Sequence, residues 1–221
     1  MAGAELPGLV LDLNAVPLPL SAAALFGRQC PLELEIGVGK GRFLLESAEA
    51  HPDTGFLGIE RARKYVLLAA GRAARCGLGN VRLLHTTAED ALFRCSAEST
   101  FAAIHVYFPD PWPKHRHRKR RFFRAETARR MAEVLAPGGF LLVKTDHREY
   151  AETIGAVLAS EPLLEPVMDG DPFGELPVTS FQIKYATENR EFHRFAYRRA
   201  GAETDHGPLT PVPGPRVGGW A

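Results

Sequence analysis

The string Phe108-Pro109-Asp110-Pro111-Trp112-Pro113 sets one carboxylate and one indole among three prolines. Proline fixes φ and removes a backbone donor, so this stretch is stiff. A carboxylate held this way can grip a donor edge or steady a developing positive charge, and an indole can stack on a base. Directly after it, residues 114–121 (KHRHRKRR) are all basic or potentially basic, and Arg124, Arg129 and Arg130 follow. Such a run is either a solvated face or a nucleic-acid patch. Beside a rigid aromatic loop the second reading is favoured, with Lys114 against a target nucleotide and Arg116, Arg118, Lys119, Arg120 and Arg121 on phosphates. The whole chain has 27 Lys+Arg against 26 Asp+Glu, so positive charge is concentrated locally rather than spread over the protein. His115 and His117 make a poor zinc pair, because no cysteine lies near and their cationic neighbours repel a metal ion.

A second constellation is Glu35-Ile36-Gly37-Val38-Gly39-Lys40-Gly41, at the end of an apolar run. Glycines allow a tight turn and close approach of a ligand to the backbone. The pattern lacks the third glycine of a dinucleotide fingerprint and the spacing of a phosphate-binding P-loop. Glu60 closes the next apolar run, where a carboxylate can accept hydrogen bonds from ribose hydroxyls. Glycine turn and Glu60 together suit a nucleoside, and without a pyrophosphate cradle S-adenosylmethionine fits better than NAD. Two further places carry polar groups at element ends. Asp146, in Lys144-Thr145-Asp146-His147, either faces the same ligand or caps a helix. Thr179 and Gln182 match the T-x-x-Q capping box.

These residues need a scaffold that gathers strand ends. The pattern predicts strands at 32–36, 56–60, 81–85, 102–108 and 140–145. Helices are predicted near 40–50, 62–76, 121–135 and 148–159, the third stopped by Pro137-Gly138-Gly139. A last strand is expected at 192–198. Alternating strands and helices predict an α/β fold: a doubly wound, mostly parallel sheet with helices on both faces and a ligand crevice outside the strand carboxyl ends. Residues 1–29 read as an N-terminal leader, 30–200 as the domain, and 201–221 as a disordered tail rich in proline and glycine. With 221 residues the chain can bury a core without staples. No run approaches the roughly 18 apolar residues of a membrane span. Cys30, Cys76 and Cys95 lie far apart with no CxxC pair, which favours a cytoplasmic setting. No metal and no membrane partner is expected, and a monomer and a homodimer are equally compatible with the sequence.

The stretches LELEIGVGKG, FLGIE, VYFPDPWPKHRHRKRR, APGGFLLVKTDHREYAE and the segment 179–198 together resemble the bacterial tRNA (guanine-N7-)-methyltransferases. The FPDPWPK-x-R-H-x-K-R-R string is the most specific of them, while the glycine turn is shared with many methyltransferases. The resemblance implies a class I, Rossmann-like methyltransferase fold, S-adenosylmethionine as cofactor, and methylation of a guanosine in the tRNA variable loop. It also implies that Glu35, Gly37, Gly39, Glu60, Thr87, Ala88 and Asp110 hold the cofactor, with Asp110 catalytic. Lys114, Asp146, Thr179 and Gln182 match substrate-binding positions. Two positions depart from the family pattern: Thr87 stands where Asp is usual, and Gln182 where Glu is usual. Two other functions stay open at this level. One is an exocyclic-amine methyltransferase, whose [DN]-P-P-[FYW] motif Asp110-Pro111-Trp112 nearly matches. The other is a non-catalytic RNA-binding subunit that has lost its cofactor.

Overall fold

The computed structural model describes residues 8–174, 176–179, 182 and 191–201. Among these residues eight strands form one sheet: β1 (Val10–Leu11), β2 (Leu32–Ile36), β3 (Gly55–Glu60), β4 (Val81–His85), β5 (Phe101–Tyr107), β6 (Leu135–Thr145), β7 (Leu164–Pro166) and β8 (His193–Arg199). Their order is β1-β4-β3-β2-β5-β6-β8-β7. Pairs from β1 through β6 are parallel, while β8 runs antiparallel to both β6 and β7. The helices are α1 (Ala22–Phe26), α2 (Arg42–Ala50), α3 (Arg63–Arg75), α4 (Ala88–Asp90), α5 (Ala125–Val134) and α6 (Arg148–Ala159).

Strand alternation sorts the core onto two faces. Phe56 of β3 and Leu83 of β4 meet Leu44, Leu45 and Ala48 of α2 and Val66, Ala69 and Ala73 of α3. Their strand neighbours Leu57 and Leu84 turn to the other face, where Leu25 of α1, Met131 of α5 and Tyr150 and Ile154 of α6 pack. Central strands are therefore largely apolar on both sides, as expected of parallel strands under two helix layers. Leu34, Leu57 and Ile104 are fully buried, each contributing roughly 1.5–3 kcal/mol. The predicted α/β architecture is the one observed.

Three local readings differ. The helix expected at 121–135 spans Ala125–Val134. Residues His115–Arg120 form a separate 3-10 turn, and Arg121 and Arg124 are extended. Pro137-Gly138-Gly139 does not stop that helix but lies inside β6, where the register slips between Phe101 and Ala103. A Cβ on Gly139 would come within 2.8 Å of the carbonyl oxygens of Ala102 and Ala136, so the glycine permits that close strand approach. The pattern also missed β1, α1 and β7. Within the stretch expected to be a leader, Leu20 and Leu25 are core residues and β1 extends the sheet beyond β4. Of the tail predicted to be disordered, 201–221, residues 202–221 lie outside the described residues.

Candidate functional site

β2 pairs with β3 on one side and β5 on the other, so the chain's winding reverses between β2 and β5. The connections leaving the carboxyl ends there diverge and open a crevice. A cleft of about 870 Å³ occupies this position. It is lined by the turn after β2, by Glu60, by Thr87 and Ala88 after β4, by Tyr107 at the end of β5 with Phe108 to Asp110 and Trp112 after it, and by Arg120, Phe122 and Thr179.

The glycine turn forms one wall. Gly37 and Gly39 have φ of 82° and 51°, and neither has any atom within 4 Å of where a Cβ would stand. These glycines thus serve conformation and leave open space against the backbone. The turn is tied to β3 by Gly37 N–H donating to the Ile59 carbonyl at 2.8 Å. Glu60 holds it from the side: its carboxylate accepts from Gly39 N–H at 3.1 Å and from Ala62 N–H at 2.8 Å. Each oxygen retains a lone pair for a further donor.

Glu35 lies beneath the turn, only 4% exposed, and its Oε2 has no hydrogen-bond partner. Burial pushes its carboxyl up from 4.5 to about 8, the Leu44 backbone N–H partly opposes this, and nearby Glu60 adds to it. A buried carboxylate oxygen without a donor is costly unless a ligand supplies one. An ammonium group arriving through the cleft would meet that need. This orphan oxygen, the glycine wall and the Glu60 carboxylate fit an amino acid–nucleoside ligand such as S-adenosylmethionine.

The opposite wall is the proline loop. Phe108 and Trp112 both adopt positive φ, 54° and 43°, at a cost of about 1–3 kcal/mol each. Two outside bonds hold these conformations. Phe108 N–H donates to the Lys144 carbonyl at 2.7 Å, and Arg121 Nε donates to the Pro111 carbonyl at 2.9 Å. Asp110 is exposed at the cleft mouth. The Arg120 guanidinium stacks over the Trp112 ring at 5.0 Å, with His117 edge-on to the same indole.

The structure gathers Glu35, Gly37, Gly39, Glu60, Thr87, Ala88, Asp110 and Thr179 around one cleft. Lys114, Asp146 and Gln182 are not among its lining residues. Lys114 precedes the 3-10 turn and is exposed, while Asp146 is half-buried just after β6. The cap of α6 is His147, whose Nδ1 accepts from Tyr150 N–H, so Asp146 does not serve as that cap. The Thr87 hydroxyl caps α4 and bonds Asp90. Thr179 and Gln182 form the expected reciprocal box, each backbone N–H bonding the other's side chain at 3.1 Å.

Arg121 corrects the expectation that it meets phosphates: it is 5% exposed and bonded to Glu149, Thr153 and Pro111. Arg129 and Arg130 are likewise tied into the fold, to Glu133 and to the Leu92 and Ser96 carbonyls. Sequence reasoning also missed a buried polar chain under the cleft. With His105 Nε2–H donating to Glu33, its Nδ1 is left to accept the Tyr107 hydroxyl. Lys144, 3% exposed, donates to Gln182 Oε1 at 3.2 Å and lies 5.0 Å from the Tyr107 and Phe173 rings. Burial lowers its ammonium pKa to about 8. The signal was available: Glu33/Glu35 and His105/Tyr107 are polar at i and i+2 in otherwise apolar strands, and so point to one face.

A family model described as "Putative methyltransferase" matches residues 29–195. The tRNA (guanine-N(7)-)-methyltransferase of Alkalilimnicola ehrlichii is 37% identical over 196 residues, covering 87% of this chain and 83% of that protein. The chain belongs to this methyltransferase family. Enzymes of the same name from Nocardia farcinica and Bordetella pertussis are 43% and 42% identical, over 75% and 77% of this chain. The chain spans 66% of the length of each of those two. Among solved structures, the 16S rRNA methyltransferase KamB superposes with a TM-score of 0.56 at 18% identity, over 80% of this chain and 91% of its own. The aminoglycoside resistance methyltransferase NpmB1 gives 0.52 at 18%, over 77% and 87%. These likenesses establish the class I methyltransferase fold.

Proposed function

We propose that this protein transfers a methyl group from S-adenosylmethionine to N7 of a guanosine in the tRNA variable loop. The observation that carries this reading is one cleft with two unlike walls. A glycine and carboxylate wall suits the cofactor, and a rigid aspartate and indole loop leads into an exposed cationic turn. The relatives' shared name agrees with it. No helix among the described residues is long and apolar enough to cross a membrane. Three separate free thiols suit a cytoplasmic setting.

S-adenosylmethionine, when bound, supplies an electrophilic methyl group on a sulfonium. Glu35 would hold its ammonium, Glu60 its ribose hydroxyls, and the Gly37 and Gly39 backbone would border it. Guanine N7 carries an in-plane lone pair and no proton, so no residue has to act as a base on it. Alignment is then the main task, and a rigid loop contributes by avoiding reorganisation. Asp110 steadies the positive charge that the purine acquires or binds the edge that donates hydrogen bonds. Asp146, Thr179 and Gln182 are read as further contacts to the nucleotide, and Lys114, Arg116 and Lys119 as contacts to RNA.

The test is incubation of purified protein with labelled S-adenosylmethionine and unmodified tRNA, followed by nuclease digestion. Label in 7-methylguanosine is expected. Label in an exocyclic-amine product would replace this reading with the neighbouring methyltransferase class. S-adenosylmethionine binding too weak to detect would instead favour a non-catalytic RNA-binding role.

A further inference from the structure

Arg121 closes the cationic run in sequence but not in space. Arg116, Arg118, Lys119 and Arg120 are exposed, whereas Arg121 is 5% exposed. Its planar fork is used on three sides. Nε donates to the Pro111 carbonyl at 2.9 Å. The terminal nitrogens donate to both oxygens of Glu149, at 3.1 and 2.5 Å, and one also reaches Thr153 Oγ1 at 3.3 Å. The guanidinium lies 4.8 Å from the Tyr150 ring centre. Thus one side chain ties the loop after β5 to the first turn and body of α6.

The loop needs such a tie for a physical reason. Pro109, Pro111 and Pro113 have no N–H, so the loop has few donors with which to anchor itself. It also carries two residues at positive φ, which persist only where the surroundings over-determine them. Beyond the Phe108 N–H, which donates to the Lys144 carbonyl, holding it from outside means donating to its carbonyls, and Arg121 does this between Asp110 and Trp112. The charge-assisted bidentate pair with Glu149 fixes the guanidinium plane. A lysine could offer one such bond but not the fork.

We infer that Arg121, held by Glu149, is a positioning residue that locks the Asp110–Trp112 loop in the conformation needed for methyl transfer. It touches neither cofactor nor RNA and acts through the Pro111 carbonyl. The kinetic part of this inference rests on the function proposed above; the structural part does not.

The sequence has two tryptophans, Trp112 and Trp220. In a Trp220→Phe background, Trp112 is therefore the sole indole reporter of the loop. Arg121→Met should increase acrylamide quenching of Trp112 in substrate-free protein. It should lower kcat by about tenfold to a hundredfold, the range expected for a misplaced reacting group. The KM for tRNA and the affinity for S-adenosylmethionine should change much less than kcat, because most of their proposed contacts, Glu35, Glu60 and the exposed cationic side chains, lie outside this loop. Arg121→Lys should resemble Arg121→Met in kcat. A folded Arg121→Met protein with wild-type quenching and kcat overturns the proposal. So does a loss of kcat with unchanged Trp112 quenching. If Arg121→Met does not fold, Glu149→Gln replaces it, since Glu149 is 40% exposed. Glu149→Gln should move quenching and kcat in the same directions, and wild-type values for both again overturn the proposal. If wild-type protein methylates no guanosine, the function reading fails while Trp112 quenching still decides the role of Arg121.

Discussion

Replacing Glu35 by Gln separates what this residue costs the fold from what it does for the cofactor. In the free protein its carboxyl is raised from 4.5 to about 8, chiefly by burial. At about 1.4 kcal/mol per tenfold change, the ionised form is disfavoured without a ligand by on the order of 4–5 kcal/mol. The sign follows from proton counting. Between pH 4.5 and 8 the folded protein holds a proton on Glu35 that the unfolded chain has released, so stability falls as pH rises across this window. Lys144 acts in the opposite direction and only above pH 8, because its folded pKa lies below its unfolded one. Comparing wild type with Glu35→Gln between about pH 5 and 8 therefore isolates Glu35. Urea unfolding should show the variant losing less stability than wild type over that range and exceeding it at its upper end. For S-adenosylmethionine the order should reverse. An ammonium needs the ionised carboxylate, so wild type should release a proton on binding near neutral pH, visible by calorimetry in buffers of differing ionisation enthalpy. Glu35→Gln should release none and bind at least about tenfold more weakly, since hydrogen bonds to charged groups contribute about 1.5–3 kcal/mol. Equal proton release by both proteins, or unchanged affinity in the variant, would refute the reasoning.

Asp110→Ala should leave the melting temperature unchanged, because the residue is exposed, while lowering kcat on the order of a hundredfold or more; near-normal turnover in a folded variant would remove Asp110 from the site. Arg116→Ala combined with Lys119→Ala should weaken tRNA binding and flatten its log–log salt dependence by about 0.7–0.9 for each phosphate no longer neutralised. Filter binding across a salt series checks this, and wild-type slopes would show a merely solvated turn. Gly58→Ala would place a methyl 2.6 Å from Val38 Cγ1, 2.7 Å from Leu44 Cδ2 and 2.8 Å from Leu83 Cδ2. It should cost about 1–3 kcal/mol by overpacking and, because Val38 belongs to the glycine turn, weaken cofactor binding; an unchanged urea midpoint would contradict that packing.

Alternation of apolar runs with helical patterns was enough to indicate a mostly parallel sheet, since a strand–helix–strand crossover brings the chain back in the same direction. The sequence by itself also placed Glu35, Glu60 and Asp110 at strand ends, and topology brings such ends together at the crevice. The cationic run was legible as charge. Which of its members face solvent was not, because Arg121 is taken out of solvent by contacts with α6, remote in sequence. Spacing along the chain could not tell Arg121 from Arg120, one buried against Glu149 and the other stacked on Trp112. The same holds for Lys144, whose pairing with Gln182 joins residues far apart in sequence. Short elements such as β1 and β7 were missed because two or three residues carry no periodicity, and their pairing comes only from the strands beside them. Local pattern fixes which way a side chain points along its own element. What lies opposite it, and hence whether a polar group is solvated, paired or left without a partner as at Glu35 Oε2, is decided by packing between elements distant in the chain.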